Sequence, residues 1–238
     1  MNPAIYRFIE QVSPWLALWL ALFTLVTCWR VVARMRSGLE RAPDSILFTE
    51  LPGLPIAALQ SICFVWAAAT LDWLSVLLFL WWGPGFVAIA VLYMRAKRRG
   101  ERIDWHRYRY VISWLCKACY LLYAGVFAWR GMFAALFALS AWIINDQIEK
   151  AFMSLDADRL RRTFDDGWLF RILYPAGLLV PWFAPAIAYR GALAAYGSLL
   201  LVAWLCGIAY VWRKGLLKTR PDDPSLLRNM VYFPKLRQ

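Results

Sequence analysis

The sequence predicts an all-α polytopic membrane protein with about seven transmembrane helices. A lone first helix is followed by three parallel helical hairpins, joined by interfacial segments on the cytosolic side. Composition is the first of three observations behind this. A soluble domain is about half apolar and about a quarter charged, whereas this chain is 62% hydrophobic and 18% charged, with a positive mean hydropathy. The second is that the apolar residues arrive in blocks of about twenty, enough to cross a hydrocarbon core of about 30 Å. The third is where the charge sits. All but Arg7, Lys117, Arg130 and Arg190 of the 27 Lys and Arg lie on one alternating set of connections.

Seven blocks follow in order: Pro14–Val32, Pro55–Leu71, Leu74–Met94, Tyr110–Ala128, Met132–Asn145, Trp168–Ala188 and Ala192–Trp212. The fifth is short, and is expected either to begin earlier or to continue as a cytosolic helix through Ile148–Leu155. The turns at Asp72, Arg130 and Arg190 are brief and carry few basic residues. The connections at 33–54, 95–109 and 146–167, and the tail from Arg213, are longer and basic. Cytosolic loops retain the excess of Lys and Arg, so the N-terminus is expected outside and the C-terminus in the cytoplasm of an inner (plasma) membrane. Trp15, Trp73, Trp105, Trp129, Trp168 and Trp212 fall at span ends, as interfacial anchors do. No cleavable signal peptide is expected, because the opening MNPAIYRFIEQVSPW has no basic stretch leading into an apolar run. The whole chain is read as one integral membrane domain ending in a basic tail, 213–238.

One phrase recurs. DSILFTELP (Asp44–Pro52), DGWLFRILYP (Asp166–Pro175) and DPSLLRNMVYFP (Asp223–Pro234) each follow a basic cluster. The outer turns echo as well, WRGMFAA (Trp129–Ala135) matching YRGALAA (Tyr189–Ala195) in four of seven positions. A period of this kind reads as three hairpins built on one plan. Basic inner loops and helices started by Asp or Pro also generate such echoes by chance. Either way, Asp caps a helix start and favours its positive end, and Pro separates an interfacial turn from the span. In the tail no span follows. Leu226, Arg228, Tyr232, Phe233 and Lys235 then form a strip suited to anionic lipid headgroups or a protein partner.

Candidate chemistry is sparse. Lys117, in WLCKACY, is the one charge well inside a span, and intramembrane charges carry function by default. It also lies within reach of the cytosolic interface, so snorkelling or a structural ion pair is the favoured reading. Cys116 and Cys119 flank it with the spacing of a soft-metal site. No matching Cys/His cluster occurs elsewhere, so inert buried thiols are favoured and no metal or other cofactor is expected. All five Cys lie in apolar blocks, which argues against a disulfide framework. The single His, His106, reads as a headgroup-facing loop residue. Asp146, Glu149, Asp165 and Asp166 form an acidic stretch suited to Mg²⁺ and a diphosphate, but the interspersed Lys150, Arg159, Arg161 and Arg162 make ion pairing the simpler account. Gln60 is a mid-span polar residue expected to bond another helix. Pro84 in the third block and Pro175, Pro181 and Pro185 in the sixth break helices, for packing or for exposing backbone to a solute.

Nucleotide loops, nucleophile elbows and zinc-protease motifs are absent from the sequence, and the net charge of +12 is explained by orientation without nucleic acid as a partner. Three function classes remain. The favoured one is a non-catalytic subunit or scaffold of an inner-membrane assembly, docking protein partners through its cytosolic face and tail. The next is a small-solute or ion transporter using Lys117, Gln60 and the broken third and sixth spans. The last is an enzyme acting on lipid-linked substrates through the 146–166 loop.

Overall fold

The computed structural model describes residues 2–37, 53–80, 84, 91, 95, 98–99, 105–154 and 168–213. Every regular element among them is helical and none is a strand. The order is α1 (Pro3–Ser37), α2 (Leu54–Ala69), α3 (Trp73–Leu80), α4 (Trp105–Arg130), α5 (Phe133–Ser154), α6 (Trp168–Ala176), a 3-10 turn (Gly177–Leu179), α7 (Val180–Phe183) and α8 (Arg190–Arg213). Two stretches, Pro3–Val26 and Arg190–Ala209, are long and apolar enough to cross a membrane, and Leu54–Ala69 and Phe133–Asn145 are shorter apolar helices. Seven crossings go beyond what these lengths show.

Several expected boundaries move. The first helix starts at Pro3 rather than Pro14 and passes through Pro14 without ending. The fifth block does continue as one helix, to Ser154. The sixth, expected as a single span to Ala188, is broken and leaves helical geometry after Phe183. Its prolines are the cause. Pro181 has no N–H for the Gly177 carbonyl, and the Val180 N–H serves that carbonyl instead, tightening the chain into a 3-10 turn. In the third block, Pro84 has π-helical backbone.

By Cα proximity the chain falls into two units. Among the described residues, one holds 2–13 with those of 53–132, the other 14–37 with those of 133–213. The first helix, α1, has residues in both. Its start packs in the first unit, where Tyr6 approaches Ser75 and Phe79 and Phe8 meets the Trp66 ring edge-on. Its continuation packs in the second. The helix α4 falls in the first unit and α5 in the second.

Two turns share one geometry. In the first, Leu71 has φ 54°, its N–H bonds the Ala68 carbonyl, and the Asp72 N–H reaches back to Ala67. After α4, Gly131 has φ 67°, its N–H bonds Ala128, and the Met132 N–H reaches Phe127. Both satisfy the orphan carbonyls of a helix end through a left-handed residue. The third turn differs. There Tyr189 is left-handed at φ 57° and Gly191 lies inside α8. The WRGMFAA and YRGALAA echo thus does not carry over to the backbone.

Candidate functional site

Polar side chains inside an apolar bundle must find partners, so buried polar clusters are where function or specific packing shows. In the second unit one cluster joins three helices. Thr24 on α1, Asn145 on α5 and Tyr196 on α8 are each less than a tenth exposed. The Thr24 hydroxyl lies 2.6 Å from Asn145 Oδ1, 2.9 Å from the Leu20 carbonyl and 3.1 Å from the Tyr196 hydroxyl. A hydroxyl has one proton and two lone pairs. Two acceptors therefore compete for the Thr24 proton, and Tyr196 is the donor into Thr24. Further along α5, Gln147 Oε1 accepts from the Trp204 indole N–H at 3.2 Å.

The same unit is drawn tight by glycines. A Cβ on Gly197 would sit 2.6 Å from the Leu178 carbonyl oxygen and 2.9 Å from the Phe137 ring, and one on Gly177 would collide with Ser140. The Phe137 ring in turn meets the Tyr196 ring edge-on at 6.3 Å. Small residues let helices approach where polar side chains then bridge them.

The first unit holds Gln60 on α2 and Lys117 on α4, both buried. Lys117, Tyr120, Tyr123 and Phe127 occupy the buried face of α4. The Tyr123 hydroxyl and Gln60 Oε1 are buried without a hydrogen-bond partner. Such orphaned groups cost about 1–3 kcal/mol each. Cys63 lies one turn from Gln60, and Cys119 one turn from Tyr123. Both are free thiols. Among the described residues no three His, Cys, Asp or Glu side chains gather as metal ligands.

At the helix ends of this unit a carboxylate collects donors. Asp72 caps α3, accepting from the Ser75 N–H at 3.2 Å and the Ser75 hydroxyl at 2.9 Å, and it also accepts the Asn2 N–H. The Ser75 proton is spent on Asp72, so the Tyr6 hydroxyl, 3.2 Å away, donates to Ser75. The Arg130 guanidinium rests over the Tyr6 and Trp129 rings. Burial pushes the Asp72 carboxyl up, but the bonds from Ser75 and Asn2 outweigh it and hold the group below the ordinary carboxylate range.

Of the other expected site residues, Asp146 and Glu149 lie on α5 with side chains outside the described set. Asp165, Asp166 and the tail strip Leu226, Arg228, Tyr232, Phe233 and Lys235 lie outside the described residues altogether, as does the Cys116 side chain. Thr24, Tyr196, Gln147, Trp204 and Tyr123 were not anticipated. Thr24, Tyr123, Tyr196 and Trp204 stand in the sequence only as single polar atoms within apolar runs, and Gln147 as one amide in a polar stretch. No protein-family model, curated protein or solved structure matches the chain.

Proposed function

We propose that this chain is a seven-span membrane protein, N-terminus outside and C-terminus cytoplasmic, acting as a non-catalytic subunit or scaffold of an inner-membrane assembly. The observation that carries the membrane reading is the outward face of the helices. Trp15, Leu22, Val26 and Trp29 share one exposed face of α1; Leu54, Ile62 and Val65 share one on α2; Trp73, Leu77 and Leu80 share one on α3. Leu199 and Val202 continue the pattern on α8. In water a helix turns its polar face outward. Here the inner faces carry the polar cross-links and the outer ones are apolar, an arrangement that suits lipid. Exposed Trp73 and Trp129 flank the turns, as an aromatic belt would.

The scaffold reading is supported by how the second unit uses its polar groups. Thr24 bonds Asn145 and Tyr196, and Trp204 bonds Gln147, each pairing reaching across helices and fixing the bundle. The basic cytosolic connections and tail then serve as the face for anionic lipids and protein partners. Extraction in native lipid, followed by mass spectrometry with and without the residues after Lys218, tests this. Stoichiometric partners that disappear with the tail support it; a lone chain in both samples removes it.

A second reading, transport of a small solute or ion, is favoured by one observation. The Tyr123 hydroxyl and Gln60 Oε1 are buried unbonded in the unit that also buries Lys117. Tyr123→Phe and Lys117→Ala would then abolish ion flux in proteoliposomes while leaving insertion intact. Unchanged flux in both would remove that reading.

A further inference from the structure

The two units treat their buried polar side chains in opposite ways. In the second, Thr24, Asn145, Tyr196 and Gln147 each meet a side chain from another helix. In the first, Tyr123 is 1% exposed and Gln60 6%, yet the Tyr123 hydroxyl and Gln60 Oε1 bond nothing among the described residues. Buried hydroxyls and amide oxygens are seldom left unpaired in folded proteins. Where no protein group reaches them, the usual partner is an ordered water.

The two atoms belong to one level of the unit. The C-terminal ends of α2 and α4 lie together, since Asp72, just after α2, accepts from Ser75, Tyr6 donates to Ser75, and the Arg130 guanidinium rests over the Tyr6 ring. Gln60 stands nine residues before Ala69, the end of α2, and Tyr123 seven before Arg130, the end of α4. At 1.5 Å per residue these are depths of about 14 and about 11 Å, less than one helical turn apart.

Four elements pack around that level. Phe8 of α1 meets the Trp66 ring of α2 at 6.0 Å, and Tyr6 meets Phe79 of α3 at 6.4 Å. Phe79 in turn meets the Tyr123 ring of α4 at 6.1 Å. On α2 the buried face carries Gln60 and, one turn on, the fully buried Cys63. Polar atoms are therefore few there, and the two orphans are complementary. Gln60 Oε1 can only accept, whereas the Tyr123 hydroxyl has a proton to give and lone pairs to fill. They do not bond each other directly. A polar pair separated in this way is joined by a small neutral molecule that donates to one and accepts from the other, and water is the smallest that does both.

We infer that the first unit binds an ordered internal water bridging Gln60 Oε1 and the Tyr123 hydroxyl. This rests on neither of the functions proposed above. Water-edited solid-state NMR on the full chain in bilayers, with carbon and nitrogen labels, follows proton magnetisation from water to the Gln60 side-chain amide and the Tyr123 ring. The bonded Tyr196 of the second unit serves as the dry reference. Build-up at Gln60 and Tyr123 is expected to be several-fold faster than at Tyr196, and Tyr123→Phe is expected to slow it at Gln60. Build-up at both sites as slow as at Tyr196 overturns the inference, and means that the two side chains close on each other or on a dry ligand. Fast build-up at one site alone, or at Gln60 regardless of Tyr123→Phe, overturns the shared water.

Discussion

Thr24 and Asn145, 121 residues apart, meet at 2.6 Å inside the second unit, with Tyr196 donating to the same hydroxyl from a third helix. Interhelical hydrogen bonds of this kind contribute about 0.6 kcal/mol on average and up to about 2 in apolar surroundings. Thr24→Val and Asn145→Leu are each expected to lower unfolding stability by amounts in that range. The pair is expected to be non-additive, because the second substitution removes a group already deprived of its partner. A double-mutant cycle in mixed micelles measures the coupling; strict additivity would dissociate the two residues.

Glycine substitutions should separate by position. Gly197→Ala drives a methyl into the Leu178 backbone and the Phe137 ring, which cannot simply rotate away. The expected loss is about 1–3 kcal/mol. Gly125→Ala on α4 meets open space, so relief of helix-interior glycine should stabilise by about 0.5–1 kcal/mol. Thermal unfolding of the two variants reads the opposite signs.

Leu71 occupies a left-handed position at φ 54° where Gly131 does the same work at the other turn. A left-handed L-residue costs about 1–2 kcal/mol relative to glycine. Leu71→Gly is accordingly expected to raise stability, and Gly131→Ala to lower it by a similar amount. If Leu71→Gly destabilises, the exposed leucine side chain is packed by lipid or a partner strongly enough to outweigh the strain.

Asp72 sets an acid limit. Its folded-state affinity for protons is depressed, so its contribution is complete above the unfolded carboxylate pKa of about 3.9 and is lost as pH falls through the lower folded value. Mild acid should leave the clasp between Asn2, Ser75 and Asp72 intact. Asp72→Ala removes an N-cap, expected to cost about 1 kcal/mol at neutral pH, and should flatten the acid limb of a stability profile. An unchanged acid limb in the variant would assign it to other carboxylates.

The helical class was legible from the composition and block lengths, since hydrophobic spacing alone determines them. Helix ends were read less well. Nothing in the apolar run around Pro14 indicates that α1 begins at Pro3, because a helix tolerates proline where a neighbouring segment packs against it. The three prolines of the sixth block were visible as breaks. Their repair by the Val180 N–H and by Arg190 was not, because it depends on three-dimensional closure. Lys117 drew attention as the lone charge in a span, while Thr24 and Tyr196 did not. One hydroxyl in a long apolar helix becomes informative only when a partner from a distant helix is placed beside it.

Accessibility of single cysteines, in a variant lacking the native ones, to a membrane-impermeant maleimide, on intact cells and after permeabilisation, tests the alternating topology most directly. Labels at Thr70→Cys and Arg130→Cys are expected to react on intact cells, and labels at Arg99→Cys and Arg213→Cys only once the membrane is opened. Reaction of all four from the same side would contradict the alternating topology and the scaffold function that rests on it.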